Sequence, residues 1–177
     1  MDNSYSQLIQ SVITATKTMF PNNKVIRGNT NGQEPDNPYI AVRVIRNTPV
    51  GLPYNDTNLS ATGIMTTRVN YEALVQFSFT SIDEEAAADL AHHFVQHLNT
   101  PVTREVFRKN KLGKTAVSTI RNVAYKRESV WTQYYNVDVT FVYATITQQD
   151  MTPITAVQVT EEISGTVFVV PPDVIIP

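Results

Sequence analysis

Three histidines stand close together at His92, His93 and His97. His93 and His97 are four apart, so on a helix they share a face, as two zinc ligands would. A zincin also needs Glu directly after the first histidine as general base. That place is held by Phe94, and no third ligand stands nearby. The spacing therefore reads as histidines at the edge of a helical stripe. Arg108 to Thr115 ends in Gly113-Lys114-Thr115, like the tail of a P-loop, but Arg108 occupies the position of the leading glycine. Without it, the curve that aims backbone N–H groups at a phosphate is lost. The segment reads as a solvated turn or a basic contact on a partner. Asp83, Glu84 and Glu85 have the types for acid–base or metal chemistry, yet helix capping and the helix dipole account for all three. Arg121, Lys126 and Arg127 with Tyr125 and Trp131 have the types of an aromatic–basic nucleic-acid patch, set among ordinary strand and turn residues. Nothing resembles a nucleophile elbow. We therefore expect no catalytic, cofactor-binding or metal-ligating residues, and no cofactor.

Composition narrows the classes further. The chain has 177 residues, enough for one domain and a small additional element. Hydrophobic content is 42% and charged content 17%, the latter below a typical value of about 25%. Uncharged polar residues fill the gap, which suits a surface packed against neighbours. A net charge of −2 and a pI near 5.9 give no basic footprint for a dedicated nucleic-acid binder. With no cysteine, disulfides and thiolate chemistry are excluded. No apolar stretch reaches the roughly 18 residues that span a bilayer, and the first residues lack the basic and apolar regions of a signal peptide. The expectation is no membrane, and assembly in a host cytoplasm.

The elements that would position such residues follow from periodicity. Residues 3–20 carry Tyr5, Leu8, Ile9, Val12, Ile13, Thr16, Met19 and Phe20 at helical spacing. A short strand is predicted at Val25–Arg27, a loop at 28–38, a strand at Tyr39–Arg46 and a second loop at 47–63. From Thr66 to Thr80 the residues alternate: Val69, Tyr71, Ala73, Val75, Phe77 and Phe79 on one side, polar residues apart from Leu74 on the other. A helix follows from the Asp83 N-cap, burying Ala86, Ala87, Leu90, Ala91, Phe94, Val95 and Leu98. A shorter helix is predicted at 102–110 with Val102, Val106 and Phe107 inward, then a strand at Ala116–Val123. A second long alternating strand covers 129–147, with Tyr135, Val137, Val139, Phe141 and Tyr143 on one face. After about Asp150 the chain becomes Val- and Ile-rich, with strands expected at Ile154–Val159 and Thr166–Val170.

The Tyr71–Phe79 strand running into Glu85-Ala86-Ala87-Ala88-Asp89-Leu90-Ala91 resembles the tail-terminator and neck-terminator proteins of contractile-tailed bacteriophages. Asn37-Pro38-Tyr39-Ile40 and Tyr134-Tyr135-Asn136-Val137-Asp138-Val139 add to the resemblance, which covers roughly residues 4–147. It implies an α+β fold, a mainly antiparallel sheet packed by two principal helices. The expected division is a terminator-like domain at 1–150 and a β-rich C-terminal arm at 151–177. It implies a structural virion protein of the tail or neck, a homohexameric ring that caps the tail tube and joins it to the head. Its partners would be further copies of itself, the tail tube protein, neck and connector proteins, and the sheath protein, with genome DNA passing through the lumen unread. On this reading the subunit-interface candidates are Arg43, Arg46, Tyr54, Arg68, Glu72, Gln76, Arg108, Lys111, Ile163, Val167 and Val169. The alternatives are a head-side connector or neck adaptor, a tail tube protein, and a small hydrolase-type enzyme. A concave pocket lined by the three histidines and carboxylates would favour the enzyme.

Overall fold

The computed structural model describes residues 4–28, 35–56, 64–127, 130–150, 157–160 and 167–170. Along the chain these form α1 (Ser4–Met19), β1 (Lys24–Arg27), β2 (Tyr39–Asp56), β3 (Ile64–Ser81), α2 (Glu84–His97) and α3 (Pro101–Lys109). There follow β4 (Gly113–Val117), β5 (Arg121–Asn122), β6 (Tyr125–Arg127), β7 (Val130–Asp150), β8 (Val157–Thr160) and β9 (Val167–Val170). The fold is α+β, with a mixed, mostly antiparallel sheet.

The sheet runs in the order β1-β2-β3-β7-β4, with β5 and β6 also paired to β7. β1 lies parallel to β2; β4, β5 and β6 lie antiparallel to β7. Side-chain partners between β2 and β3 run in opposite directions, Arg43 with Gln76 and Arg46 with Glu72, so these strands are antiparallel too. β7 reverses against β3 in the same way: Gln76 meets Asp138, and Tyr71 stacks on Tyr143.

The alternation read from the sequence decides which face is buried. Ala73, Val75, Phe77 and Phe79 of β3, and Val137, Val139 and Phe141 of β7, are fully buried under the helices. Phe94 of α2 sits at their centre, with ring centroids 4.5 Å from Phe77, 5.2 Å from Phe79 and 6.2 Å from Phe20 at the end of α1. Ala87 and Ala91 let α2 lie close to the strands, since a methyl group keeps the separation small. The Asp83 carboxylate accepts from Glu85 N at 3.0 Å and caps α2 as expected. Thr100 caps α3, accepting from Thr103 N at 3.3 Å, with Pro101 in the first turn where it loses no hydrogen bond.

Three expectations are corrected. Residues 47–56 are strand, not loop: β2 continues to Asp56. Val102 does not point inward but is 74% exposed; Thr103 and Phe107, four apart, form the buried edge of α3. The predicted strand at Ala116–Val123 is instead β4 and β5, separated at 118–120. Two principal helices and the shorter α3 pack the sheet as expected, and α1 packs against α3. The predicted Ile154–Val159 and Thr166–Val170 strands appear as the antiparallel β8–β9 pair, with 154–156 and 166 outside the described residues.

Two compact units divide the chain. Met1–Pro53 with Val69–Thr145 forms the helix-covered sheet, and Tyr54–Arg68 with Ile146–Pro177 forms the other. Within the second, Thr67 Oγ1 donates to Asn55 Oδ1 at 2.9 Å.

Candidate interaction surfaces

The helices cover the odd-numbered face of β3 and β7. The even-numbered face, Leu74 and Val142 apart, is mainly polar, and several of its side chains lock across strands. Arg43 Nη2 on β2 donates to Gln76 Oε1 on β3 at 3.1 Å, and Gln76 Nε2 donates to Asp138 Oδ1 on β7 at 3.3 Å. Arg121 of β5 pairs with the other Asp138 oxygen. Arg46 Nη2 donates to Glu72 Oε1 at 2.9 Å. Asp138 thus joins β3, β7 and β5, and its side chain is only 16% exposed, against 49% for Arg121.

One detail of β2 places Arg46 on this face. Arg43 is odd and Arg46 even, yet both meet even-numbered residues of β3. On the helix side, the packed residues of β2 are Ile40, Val42 and Val44, whereas Asn47 accepts from Tyr143 Oη at 3.0 Å. Tyr143 shares its face with Phe141. The alternation of β2 therefore shifts by one residue between Val44 and Arg46, the signature of a local bulge.

Beyond the shift, β2 exposes large apolar groups. Val50 is half exposed, Leu52 is 91% exposed and Tyr54 67% exposed. Gly51 between them has φ +74°, a left-handed backbone that glycine adopts freely. Arg68 on β3 is exposed.

The third surface is basic. Arg108 binds Glu105 through two bonds of 2.8 Å, and Lys109 Nζ lies 4.0 Å from the same carboxylate. The hydrogen bonds from Arg108 hold the Glu105 carboxyl below its ordinary range, and the same bonds raise Arg108. α3 ends in a Schellman motif: Leu112 N donates to Phe107 O at 2.9 Å and Lys111 N to Arg108 O at 3.0 Å. The left-handed position of that motif, usually glycine, is Lys111 at φ 59°. Lys114 Nζ donates to Asn99 Oδ1 at 2.8 Å. Burial, and then the charge of Arg104, lower its pKa.

The chemistries considered from sequence do not assemble. The His93 and His97 rings are 6.2 Å apart, and no cluster of three or more potential metal ligands occurs among the described residues. Gly113 and Lys114 begin β4, paired with Val142 and Phe141, instead of forming a phosphate-binding curve. The nearest approach to an acidic–aromatic site is Tyr135, whose hydroxyl donates to Glu84 Oε1 at 3.1 Å and accepts from Asn122. Burial first, and then Glu84, raise its pKa, which keeps the phenol protonated. Among the described residues no helix is long and apolar enough to cross a membrane.

Against this geometry, a family model for phage neck terminator proteins matches residues 6–168. The chain belongs to the phage neck terminator protein family. No curated protein matches it. As a member of this family it is a structural protein of the phage tail and neck, a virion component that interacts with other tail or head proteins.

For the neck terminator chain, the sequence-derived interface residues fall in different places. Arg43, Arg46, Glu72 and Gln76 come together on the open sheet face. Tyr54 and Arg68 lie in the other unit. Arg108 and Lys111 lie at the end of α3. Val167 and Val169 lie on β9, register partners of Thr160 and Gln158, and Ile163 falls outside the described residues. Asp138 and Glu105, the acidic centres of two of these groups, were not among the candidates. The signal for Asp138 was its even parity on β7, matching Gln76 on β3; for Glu105 it was the three-residue spacing to Arg108.

Proposed function

We propose that this chain is the subunit of a closed ring of six copies that ends the tail tube of a contractile-tailed phage and joins it to the head. Residues 1–150 form the ring body, and the arm at 151–177 lies along a neighbouring subunit. The tail tube and sheath proteins meet one side, and connector proteins the other. Genome DNA passes through the lumen without being read, and the ring assembles in the host cytoplasm. The role is structural and needs no catalysis.

The observation that carries this reading is the exposure of Val50 and Leu52 along β2. Large apolar side chains left in water suit a contact surface. A ring contact between identical copies joins two different patches and closes by rotation, so the open polar face and the α3 end serve as further docking regions. The test is native mass spectrometry with negative-stain imaging of the purified chain, followed by binding to tail tubes. A discrete ring that caps tube ends is expected. A chain that stays monomeric at high concentration and ignores tube ends refutes the proposal. A ring that binds the portal-proximal connector but not tube ends would assign it to the head-side adaptor role.

A further inference from the structure

Charge is strongly segregated in a chain whose total is only −2. Residues 104–114 contain Arg104, Arg108, Lys109, Lys111 and Lys114 against the single carboxylate of Glu105. The arm from 151 onward contains Glu161, Glu162 and Asp173 and no basic residue. Glu105 is held by Arg108 at 2.8 Å, whereas Lys109 Nζ stands 4.0 Å from it with its side chain 70% exposed; among the described residues Arg104 and Lys111 have no carboxylate partner. The cations also crowd one another, since the Arg104 charge works with burial to depress Lys114.

This cluster borders a groove. An open cavity of about 680 Å³ is lined by uncharged side chains of α1, among them Gln7, Gln10 and Thr14, and by Lys109, Asn110 and Lys111 at the end of α3. Lys111 holds its place in a left-handed backbone that glycine fills more cheaply. A polar lining that includes two lysines fits an acidic segment, which gains hydrogen bonds from the amides and hydroxyls and charge neutralisation from the lysines.

The chain supplies such a segment. β8 and β9 pair only with each other among the described residues, and an isolated two-stranded hairpin is marginal in water. The six residues that join them, 161–166, begin with Glu161-Glu162. We propose that the Glu161–Glu162 connection of one copy docks in the α1–α3 groove of the next, against Lys109 and Lys111. The contact is heterologous, with a groove on one copy and an acidic connection on the other, and it rests on the ring reading above. Charge pairing of this kind sets register and partner choice, and salt weakens it.

The test uses the full chain in four forms: wild type, K109E/K111E, E161K/E162K, and all four reversed. Assembly is followed by mass photometry against concentration at 0.1 M and 0.5 M salt. Each two-site reversal is expected to raise the concentration for half-assembly at least about tenfold, because like charges face each other. Full reversal restores it to within about threefold, because the pair is reformed with opposite signs. Mixing the two half-reversed chains pairs an acidic connection with a basic groove and a basic connection with an acidic groove, so every contact is attractive again and rings of alternating copies form. Circular dichroism and thermal melts confirm that each variant folds, and K109Q/K111Q or E161Q/E162Q replaces the corresponding reversal that does not. Unchanged assembly in either half-reversed chain overturns the proposal, as does failure of the folded four-site variant to recover. A mixture that stays monomeric also overturns it, since docking would then not run between copies. A wild-type chain that forms no ring overturns the ring reading itself.

Discussion

Replacing Asp138 tests how the open sheet face is held. The carboxylate accepts from Arg121 on β5 and from Gln76 on β3, and Arg43 in turn holds Gln76. A hydrogen bond to a charged group contributes about 1.5–3 kcal/mol, whereas an exposed ion pair contributes roughly 0.2–1 kcal/mol. Asp138 is mostly buried, but Arg121 is half exposed and turns to water when its partner is lost. No uncompensated buried charge remains, so the large penalty for breaking a buried pair does not apply. Asp138→Ala should therefore cost about 1–2 kcal/mol, a fall in Tm of roughly 2–8 °C for a chain of this size. A double-mutant cycle with Arg121→Ala should give a coupling of about 0.5–1.5 kcal/mol that shrinks with salt. Asp138→Asn isolates the charge from the shape. The assay is urea unfolding followed by circular dichroism at one fixed protein concentration, because assembly shifts apparent stability. A coupling under about 0.3 kcal/mol with an unchanged m-value would refute the argument that partial burial strengthens this pair.

Three further outcomes follow from the packing and the helix ends. Phe94→Ala removes a ring within 4.5–6.2 Å of three others and should cost about 3–5 kcal/mol, while Val102→Ala, on the exposed side of α3, should stay within about 0.5 kcal/mol; similar losses for both in thermal melts would contradict the burial pattern. Lys111→Gly should raise stability by about 0.5–1 kcal/mol by relieving the left-handed backbone at the end of α3, and calorimetry showing a loss would contradict that geometry. Glu105 should titrate below the usual glutamate range, near 4.3, in carboxyl-detected NMR, and Arg108→Gln should return it toward that range. Its folded pKa is depressed, so the pair's contribution to stability is present above the unfolded value and is lost as pH falls through the folded one.

The parts legible in the sequence were those where one face is buried and the other wet. β3 and β7 announced themselves because Ala73 to Phe79 and Val137 to Tyr143 alternate against polar neighbours. α2 did so through its alanines and its Asp83 cap. The far half of β2 was not legible for the converse reason. Residues 48–55 are exposed throughout, so burial imposes no period, and Pro49, Gly51 and Pro53 look like turn residues. Prolines are tolerated where a strand has an open edge. Val102 misled because an apolar residue in a short helix was read as inward, whereas Thr103 and Phe107 fix the buried side. The open-face network was hidden because Gln76 and Asp138 look, in one dimension, like any solvated residues; only strand order brings them together.

The one-residue shift in β2 also bears on how such a chain can change length over evolutionary time. In β3 and β7 a single inserted or deleted residue would turn Phe77 or Phe141 outward and carry Gln76 or Asp138 under the helices, exchanging every later side chain between faces. Those strands can therefore grow or shrink only in steps of two. β2 carries one odd step between Val44 and Arg46, at a place where Ile45 is exposed and the misplacement is cheap. Homologous chains that differ by one residue in β2 are expected to carry the difference at that point, with Ile40 and Val42 on one side of it and the Arg46–Glu72 pair on the other keeping their spacing to the rest of the sheet.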